Sequence, residues 1–318
     1  MNVLVVGGNG FVGSHLCREL VERGHDVTVL ARSPEDGDLP DGVDTYAGDV
    51  TEYDTIEGAF EGQDAVVNLV ALEPMYRPKG GDEMHDRVHR GGTEHCLRAA
   101  AAHGVERFVQ QSALSADPDA ATHYLRAKGR AEDLVRESDR DWVIFRPSII
   151  FGDGGGFVKF TKKLKSWFAP GLPVYPLPGG GKQTRFQPIA VGEFVPMLAD
   201  AVGPSPASNQ DSASADDAVE DDEHVGKTYQ IGGPEVLTLR EVTELVYESE
   251  GKSISIVPLP MAMANVGLTV LGTVGFPMGK DQFRSLRLDN TVDSNDVDAF
   301  GVDERELTTF RSYLGLPG

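Results

Sequence analysis

Val3-Leu-Val-Val-Gly-Gly-Asn-Gly-Phe-Val-Gly13 is the stretch whose reading decides the fold. Val3 to Val6 are apolar on both faces, the pattern of a central parallel strand. Glycines follow at Gly7, Gly10 and Gly13. Placed after a strand and before a helix, glycines so spaced allow three things: a tight turn, a close approach of backbone to a pyrophosphate, and tight packing of the helix on the strand. The helix expected over residues 13–23 then aims its free N–H groups and positive dipole end at phosphate oxygens. The segment is expected to build a dinucleotide site lined by Gly7, Asn9, Gly10, Phe11, Val12 and Gly13.

Strand and helix signals alternate beyond it. Strands are expected at 26–30, 43–47, 65–70, 107–111 and 142–146, with helices at 86–103 and 122–137. Such alternation predicts an α/β chain: a Rossmann-type, doubly wound parallel sheet with helices on both faces. Ligand is expected at the carboxyl ends of the strands. After Arg146-Pro147 glycine and proline become frequent, so residues 1–146 read as the dinucleotide-binding domain and 147–318 as a smaller C-terminal substrate-binding region. Within the latter, 203–225 reads as an acidic surface insert without apolar periodicity. A strand at 228–231 follows, then a helix at 238–250 opened by a Thr238/Glu241 capping box, a strand at 254–257 and a last helix at 303–314.

Composition narrows the function. Fifty acidic residues against 29 Lys and Arg leave a net charge of −21 over 318 residues. Nucleic acid is excluded as a partner, because phosphate backbones need a basic face. The acid excess, spread along the whole chain, is the pattern of proteins from salt-loving organisms, in which salt screens carboxylate repulsion. Cys17 and Cys96 fall in expected helices among apolar neighbours and read as small buried hydrophobes of a reducing cytoplasm. No leader is expected ahead of the first strand, and no apolar run reaches membrane-spanning length.

The end of the second strand bears on the cofactor. An acid there accepts from the ribose 2′-hydroxyl of NAD; this chain has Leu30-Ala-Arg32-Ser33. Arg32 offers a charged fork to a 2′-phosphate and Ser33 a hydroxyl, which favours NADP(H) over NAD(H). Asp49 and Val50 are expected beside the adenine, and Leu69, Val70 and Ala71 beside the middle of the cofactor.

Tyr124-Leu-Arg-Ala-Lys128 puts a phenol and an ammonium on one helix face. A free tyrosine ionises near pH 10, too high for a base at neutrality, and an adjacent ammonium favours its phenolate. The pair suits proton transfer, with Ser112 at the end of the preceding strand to hold a substrate oxygen and Ser115 behind it.

With these residues in place, the chain resembles the extended and atypical short-chain dehydrogenase/reductase superfamily. The carrying residues are Gly7 to Gly13, Gly48-Asp-Val50, Gly92-Thr93, Ser112-Ala113, Tyr124 with Lys128, and Arg146-Pro-Ser148. It is most similar to the branch that contains the NADPH-binding accessory subunit of respiratory complex I, through Thr184-Arg-Phe-Gln-Pro-Ile-Ala-Val-Gly192 and Tyr229-Gln-Ile-Gly-Gly-Pro234. Its acidity fits a haloarchaeal member. The resemblance implies a substrate pocket bordered by residues 149–156, with Pro147 and Ile149 near the cofactor. Extended epimerases carry several hydroxyls after the fifth strand; Gln111-Ser112-Ala113 keeps one, which weighs against sugar chemistry.

Residues 157–168 combine apolar residues at helical spacing with Lys159, Lys162, Lys163 and Lys165. They read as a packing or lid helix with a solvated lysine face, or as an amphipathic helix meeting anionic lipid or a membrane complex. With the apolar stretch 261–276 they point to a quinone- or isoprenoid-like small-molecule substrate. The expected function is an NADP(H)-binding oxidoreductase acting on a carbonyl or alcohol. The rivals are a nucleotide-sugar epimerase or dehydratase and a non-catalytic NADPH-binding subunit of a membrane complex.

The charge reading is testable alone. Dialysis from molar salt to low salt should lower the melting temperature, because screening of the −21 charge is lost. An unchanged melting temperature would refute it.

Overall fold

Val3, Leu4, Val5 and Val6 are fully buried in the first strand, β1 (Asn2–Val6), which lies inside a sheet with a strand on either side. The computed structural model describes residues 1–203, 223–260 and 278–317. Among them the strands are β1, β2 (Asp26–Ala31), β3 (Asp44–Ala47), β4 (Ala65–Asn68), β5 (Arg107–Gln111), β6 (Asp141–Pro147), β7 (Ile150–Phe151), β8 (Val174–Pro178), β9 (Arg185–Phe186), β10 (Ile189–Ala190), β11 (Lys227–Ile231), β12 (Leu237–Thr238) and β13 (Ser255–Leu259). The central sheet has seven strands in the order β11-β6-β5-β4-β1-β2-β3. Register is parallel from β3 across to β6, with Val5 opposite Val29 on one side and Val67 on the other. The order reverses between β1 and β4, so the crevice beyond their carboxyl ends is where this topology takes its ligand. The Rossmann-type α/β expectation holds.

The main helices are α1 (Phe11–Glu22), α2 (Gly92–His103), α3 (His123–Arg136), α4 (Phe157–Phe168), α5 (Val191–Asp200) and α6 (Leu239–Glu248). Helix α1 starts two residues before the expected position, at Phe11. The helix expected at 86–103 is not uniform: Asp86–Gly91 is a π-helical turn that runs into α2. The strand expected at 65–70 ends at Asn68, whose side-chain Oδ1 accepts from Val70 N–H at 3.3 Å and draws the chain out of the ladder. The capping box of α6 forms as expected, with Thr238 and Glu241 each satisfying the other's backbone. The last helix does not. Asp303 and Thr309 each accept from the backbone two or three residues on, so the segment breaks into a 3₁₀ turn, Glu304–Glu306, and a short helix, Phe310–Tyr313.

The chain forms two compact units. The first comprises Met1–Leu72, Glu83–Arg146 and Gly192–Tyr229. Its core joins Leu4, Val6 and Leu30 of the sheet to Phe60, Cys96, Phe108 and Ile144. Cys17 and Cys96 are free and buried, and burial pushes both thiols up to about 12, so they pack as hydrophobes. The second unit comprises Glu73–Asp82, Pro147–Val191 and Gln230–Gly318, around Phe151, Phe160, Leu164, Tyr175 and Phe310. Helix α4 commits its apolar stripe here: Phe160 and Leu164 are buried, and Phe157 meets the rings of Phe186 and Phe310. Lys162 pairs with Glu250, and Lys163 sits over the rings of Tyr76 and Trp167. This occupancy favours the packing-helix reading of 157–168. Among the described residues no helix is long and apolar enough to cross a membrane. The apolar stretch 261–276 and residues 204–222 of the acidic insert lie outside the described residues.

A buried charge cluster fastens the end of β6 to α3. Glu132 is fully buried and accepts from Arg146 Nε at 2.9 Å, from a terminal nitrogen of Arg146 at 2.5 Å, and from Arg136 at 2.6 Å. Arg146 also donates to the Ala116 carbonyl at 3.0 Å. Removing one partner leaves a buried carboxylate short of compensation. Arg146→Leu is therefore expected to lose on the order of 3 kcal/mol in denaturant unfolding; a loss below about 1 kcal/mol would place the cluster in the class of exposed pairs.

Candidate cofactor and catalytic site

The glycine loop is shaped by contacts that leave no room for side chains. Gly7 turns the chain at φ +83°, its N–H donating to the Leu30 carbonyl at 2.8 Å. A Cβ on Gly13 would fall 2.6 Å from both the Gly7 carbonyl oxygen and the Gly8 Cα, so α1 rests directly on the loop. Gly8, which the glycine spacing did not single out, is held as tightly: a Cβ there would lie 2.6 Å from Val29 of β2. Gly10 caps α1 in extended conformation with no side-chain hydrogen bond, and the first turn of α1 carries no acid. The backbone N–H groups at Phe11, Val12 and Gly13 thus face the loop with a positive dipole end and no side chain of their own to satisfy them. That cradle fits the pyrophosphate of a dinucleotide.

The loop after β2 is bound to this cradle. Asn9 Nδ2 donates to the Ser33 carbonyl at 2.8 Å, and a Cβ on Gly37 would lie 2.6 Å from the Asn9 Cβ. Arg32 is exposed beside Ser33, and among the described residues no salt bridge engages it. Beyond β3, Asp49 caps its own turn by accepting from Thr51 N–H at 2.9 Å, and the Val50 carbonyl accepts from His95 at 2.8 Å.

Across the crevice, Leu69 N–H donates to the Val6 carbonyl at 2.9 Å, and a Cβ on Gly7 would lie 3.2 Å from Val70 Cγ2. Val70 is half-buried and Ala71 exposed. A buried amide network under this exit orients it: Asn68 Nδ2 donates to Gln110 Oε1 at 3.0 Å and Thr93 Oγ1 at 3.2 Å, while Asn68 Oδ1 holds Val70 N–H. Sequence reasoning missed this network; three polar residues at core positions of β4, α2 and β5 were the available signal.

Tyr124 and Lys128 lie in the first turns of α3, which Thr122 caps by accepting from Leu125 N–H. Lys128 is 1% exposed, and its Nζ donates to the Gln111 carbonyl at 2.8 Å. Burial pulls its pKa from 10.5 down to about 8, against the opposing pull of the nearby Glu132 carboxylate. Ser112 follows Gln111 directly and is 3% exposed; its Oγ has no hydrogen-bond partner among the described residues. An orphaned hydroxyl next to the lysine's anchor is what a bound oxygen would satisfy. Ser115, by contrast, is exposed, at φ +61°. Tyr124 is half-buried with its ring against two histidines that the motif reading passed over, His85 and His89; their spacing of four residues was the only signal.

Gly7 to Gly13, Arg32-Ser33, Asp49-Val50, Leu69 to Ala71, Ser112, Tyr124 and Lys128 all belong to the first unit, on segments that follow β1 to β5. Pro147 and Ile149 belong to the second: Pro147 is buried at the end of β6, and Ile149 accepts from Ile189 N–H at 3.0 Å.

Known proteins resemble this chain. The mitochondrial NADH dehydrogenase [ubiquinone] 1 alpha subcomplex subunit 9 of Arabidopsis thaliana is 29% identical over 311 residues, covering 92% of this chain and 71% of its own. The chloroplastic divinyl chlorophyllide a 8-vinyl-reductase of the same plant is 26% identical, covering 86% and 63%. The chain thus spans less than two thirds of the reductase's length. The structure of Thermus thermophilus UDP-glucose 4-epimerase in complex with NAD superposes with a TM-score of 0.62 at 23% identity, covering 95% and 99%, and shares the fold. The family described as NAD(P)H-binding matches residues 7–168, just over half of the chain, from the first glycine of the loop to the end of α4. The chain is a member of that NAD(P)H-binding family, with a Rossmann-type fold.

Proposed function

We propose that the protein is an NADP(H)-dependent oxidoreductase acting on a carbonyl or alcohol carbon of an apolar small molecule. The observation that carries this reading is the buried ammonium of Lys128, one helical turn from Tyr124 and hydrogen-bonded beside the orphaned Ser112 hydroxyl. A cationic lysine in a core is costly, and a structural role needs no such group there. Tyr124 exchanges the proton with the substrate oxygen, Lys128 biases it toward release of that proton, and Ser112 orients the oxygen. The nicotinamide, when bound, supplies or accepts the hydride. The cradle from Gly7 to Gly13 holds the pyrophosphate, and Leu69 to Ala71 border the cofactor's middle. Arg32, exposed and outside any salt bridge among the described residues, supplies the charge for a 2′-phosphate, aided by Ser33. Asp49 and Val50 border the adenine.

A second reading has its own support. A complex I subunit is similar over 92% of the chain, so a cofactor-binding role in a membrane complex, with NADPH stabilising the fold, competes with turnover. A nucleotide-sugar epimerase, as in the superposed structure, is disfavoured by Ala113 beside the one hydroxyl of Ser112.

Tyr124→Phe should lower NADPH oxidation by quinone and carbonyl acceptors about a hundredfold or more, the scale of lost acid–base catalysis. Full retention of turnover removes the proton-transfer role, and no turnover in the wild type with tight NADPH binding favours the subunit reading. Arg32→Asp should shift the NADPH-to-NADH affinity ratio at least tenfold, as loss of a charged hydrogen bond does; an unchanged ratio refutes the 2′-phosphate assignment. Lys128 sets a pH dependence of stability. Its folded pKa of about 8 lies below 10.5, so between these values the unfolded chain binds the extra proton and stability rises with pH. Lys128→Met abolishes that rise. The melting-temperature advantage of the variant should therefore shrink across this window, and a difference independent of pH would contradict the buried ammonium.

A further inference from the structure

The π-helical turn Asp86–Gly91 carries a feature that the proposed reaction leaves unused. His85 is fully buried and His89 is 2% exposed. Their rings stack at 5.6 Å and 11°, an arrangement the widened turn allows for residues four apart. Tyr124 stands edge-on to both, 5.3 Å and 87° from His89 and 5.7 Å and 77° from His85. His89 is also joined to the segment beyond β4: Leu72 N–H donates to His89 Nε2 at 3.4 Å, a long hydrogen bond, and His85 Nδ1 lies 3.4 Å from the same nitrogen. A nitrogen that accepts carries no proton, so His89 is the neutral ring. Burial, then the Lys128 ammonium, then His85 hold it well below the usual histidine range, which agrees. A neutral ring puts no charge beside the tyrosine. It is a rigid, flat, uncharged wedge that touches the tyrosine on one side and the cofactor-side segment on the other.

We propose that His89 is a positioning residue: its ring fixes the direction of the Tyr124 phenol relative to Lys128 and ties it to the segment Leu69–Leu72, so that the tyrosine and that segment hold one geometry. This rests on the reading that Tyr124 faces the nicotinamide. His89 acts through Tyr124.

The test is a double-mutant cycle read by NADPH titration of the full-length protein, with the affinity and the nicotinamide emission of the bound cofactor as signals. His89→Leu is expected to weaken NADPH binding about threefold or more and to shift the emission. In a Tyr124→Phe background the same substitution should change either signal by less than about 1.5-fold, because the hydroxyl it positions is gone. His89→Gln keeps an acceptor for Leu72 N–H but no flat ring, and it serves where His89→Leu does not fold; it should show the same dependence on Tyr124. Equal effects of the His89 substitutions in both backgrounds overturn the proposal and leave the Tyr124 reading standing. A Tyr124→Phe single variant with unchanged affinity and emission overturns this proposal alone, and one that keeps full turnover overturns the Tyr124 reading with it.

Discussion

The close approach of α1 to the loop in front of it is the constraint on which the site depends. Where Gly13 meets the Gly7 carbonyl and the Gly8 Cα, a single methyl group would sit 2.6 Å from backbone atoms that have nowhere to go. Because that space is empty, the helix begins at Phe11 and its N-terminal amides open directly on the crevice where the strand order reverses. The same closeness fixes the direction of the Gly7 N–H toward Leu30 and, through Asn9, the place of Ser33. One steric fact thus shapes the loop in front of α1 and holds the β2 loop beside it.

The other half of the site depends on a charge kept where charges are expensive. In a chain of net charge −21, Lys128 is buried almost completely and anchored to a backbone carbonyl. Glu132, four residues on, is buried as well and saturated by Arg146 and Arg136, so its carboxylate raises the lysine's proton affinity without forming its direct partner. Stability given up in this way is common at sites built for chemistry.

Much of this architecture was legible in the sequence because its signals are local. The run Val3 to Val6 and the glycines determine strand, turn and helix within a dozen residues, and the Thr238/Glu241 box formed as read. The end of the chain was misread because Asp303 and Thr309 offer two competing caps, and periodicity alone cannot see the break between them. The π turn at Asp86–Gly91 escaped for a similar reason, since a helix-period pattern is blind to one extra residue per turn. The Asn68–Gln110–Thr93 network is assembled from separate elements that no spacing in the sequence announces, and the His85–His89 stack shows there only as a spacing of four residues.

The account stands or falls on where the cofactor lies. A crystal structure of the protein with NADPH is the most direct measurement. The pyrophosphate is expected against the backbone amides at the start of α1, the 2′-phosphate at Arg32 and the nicotinamide ring beside Tyr124 and Lys128. A dinucleotide bound in the opposite direction, or with its nicotinamide remote from α3, would contradict the account.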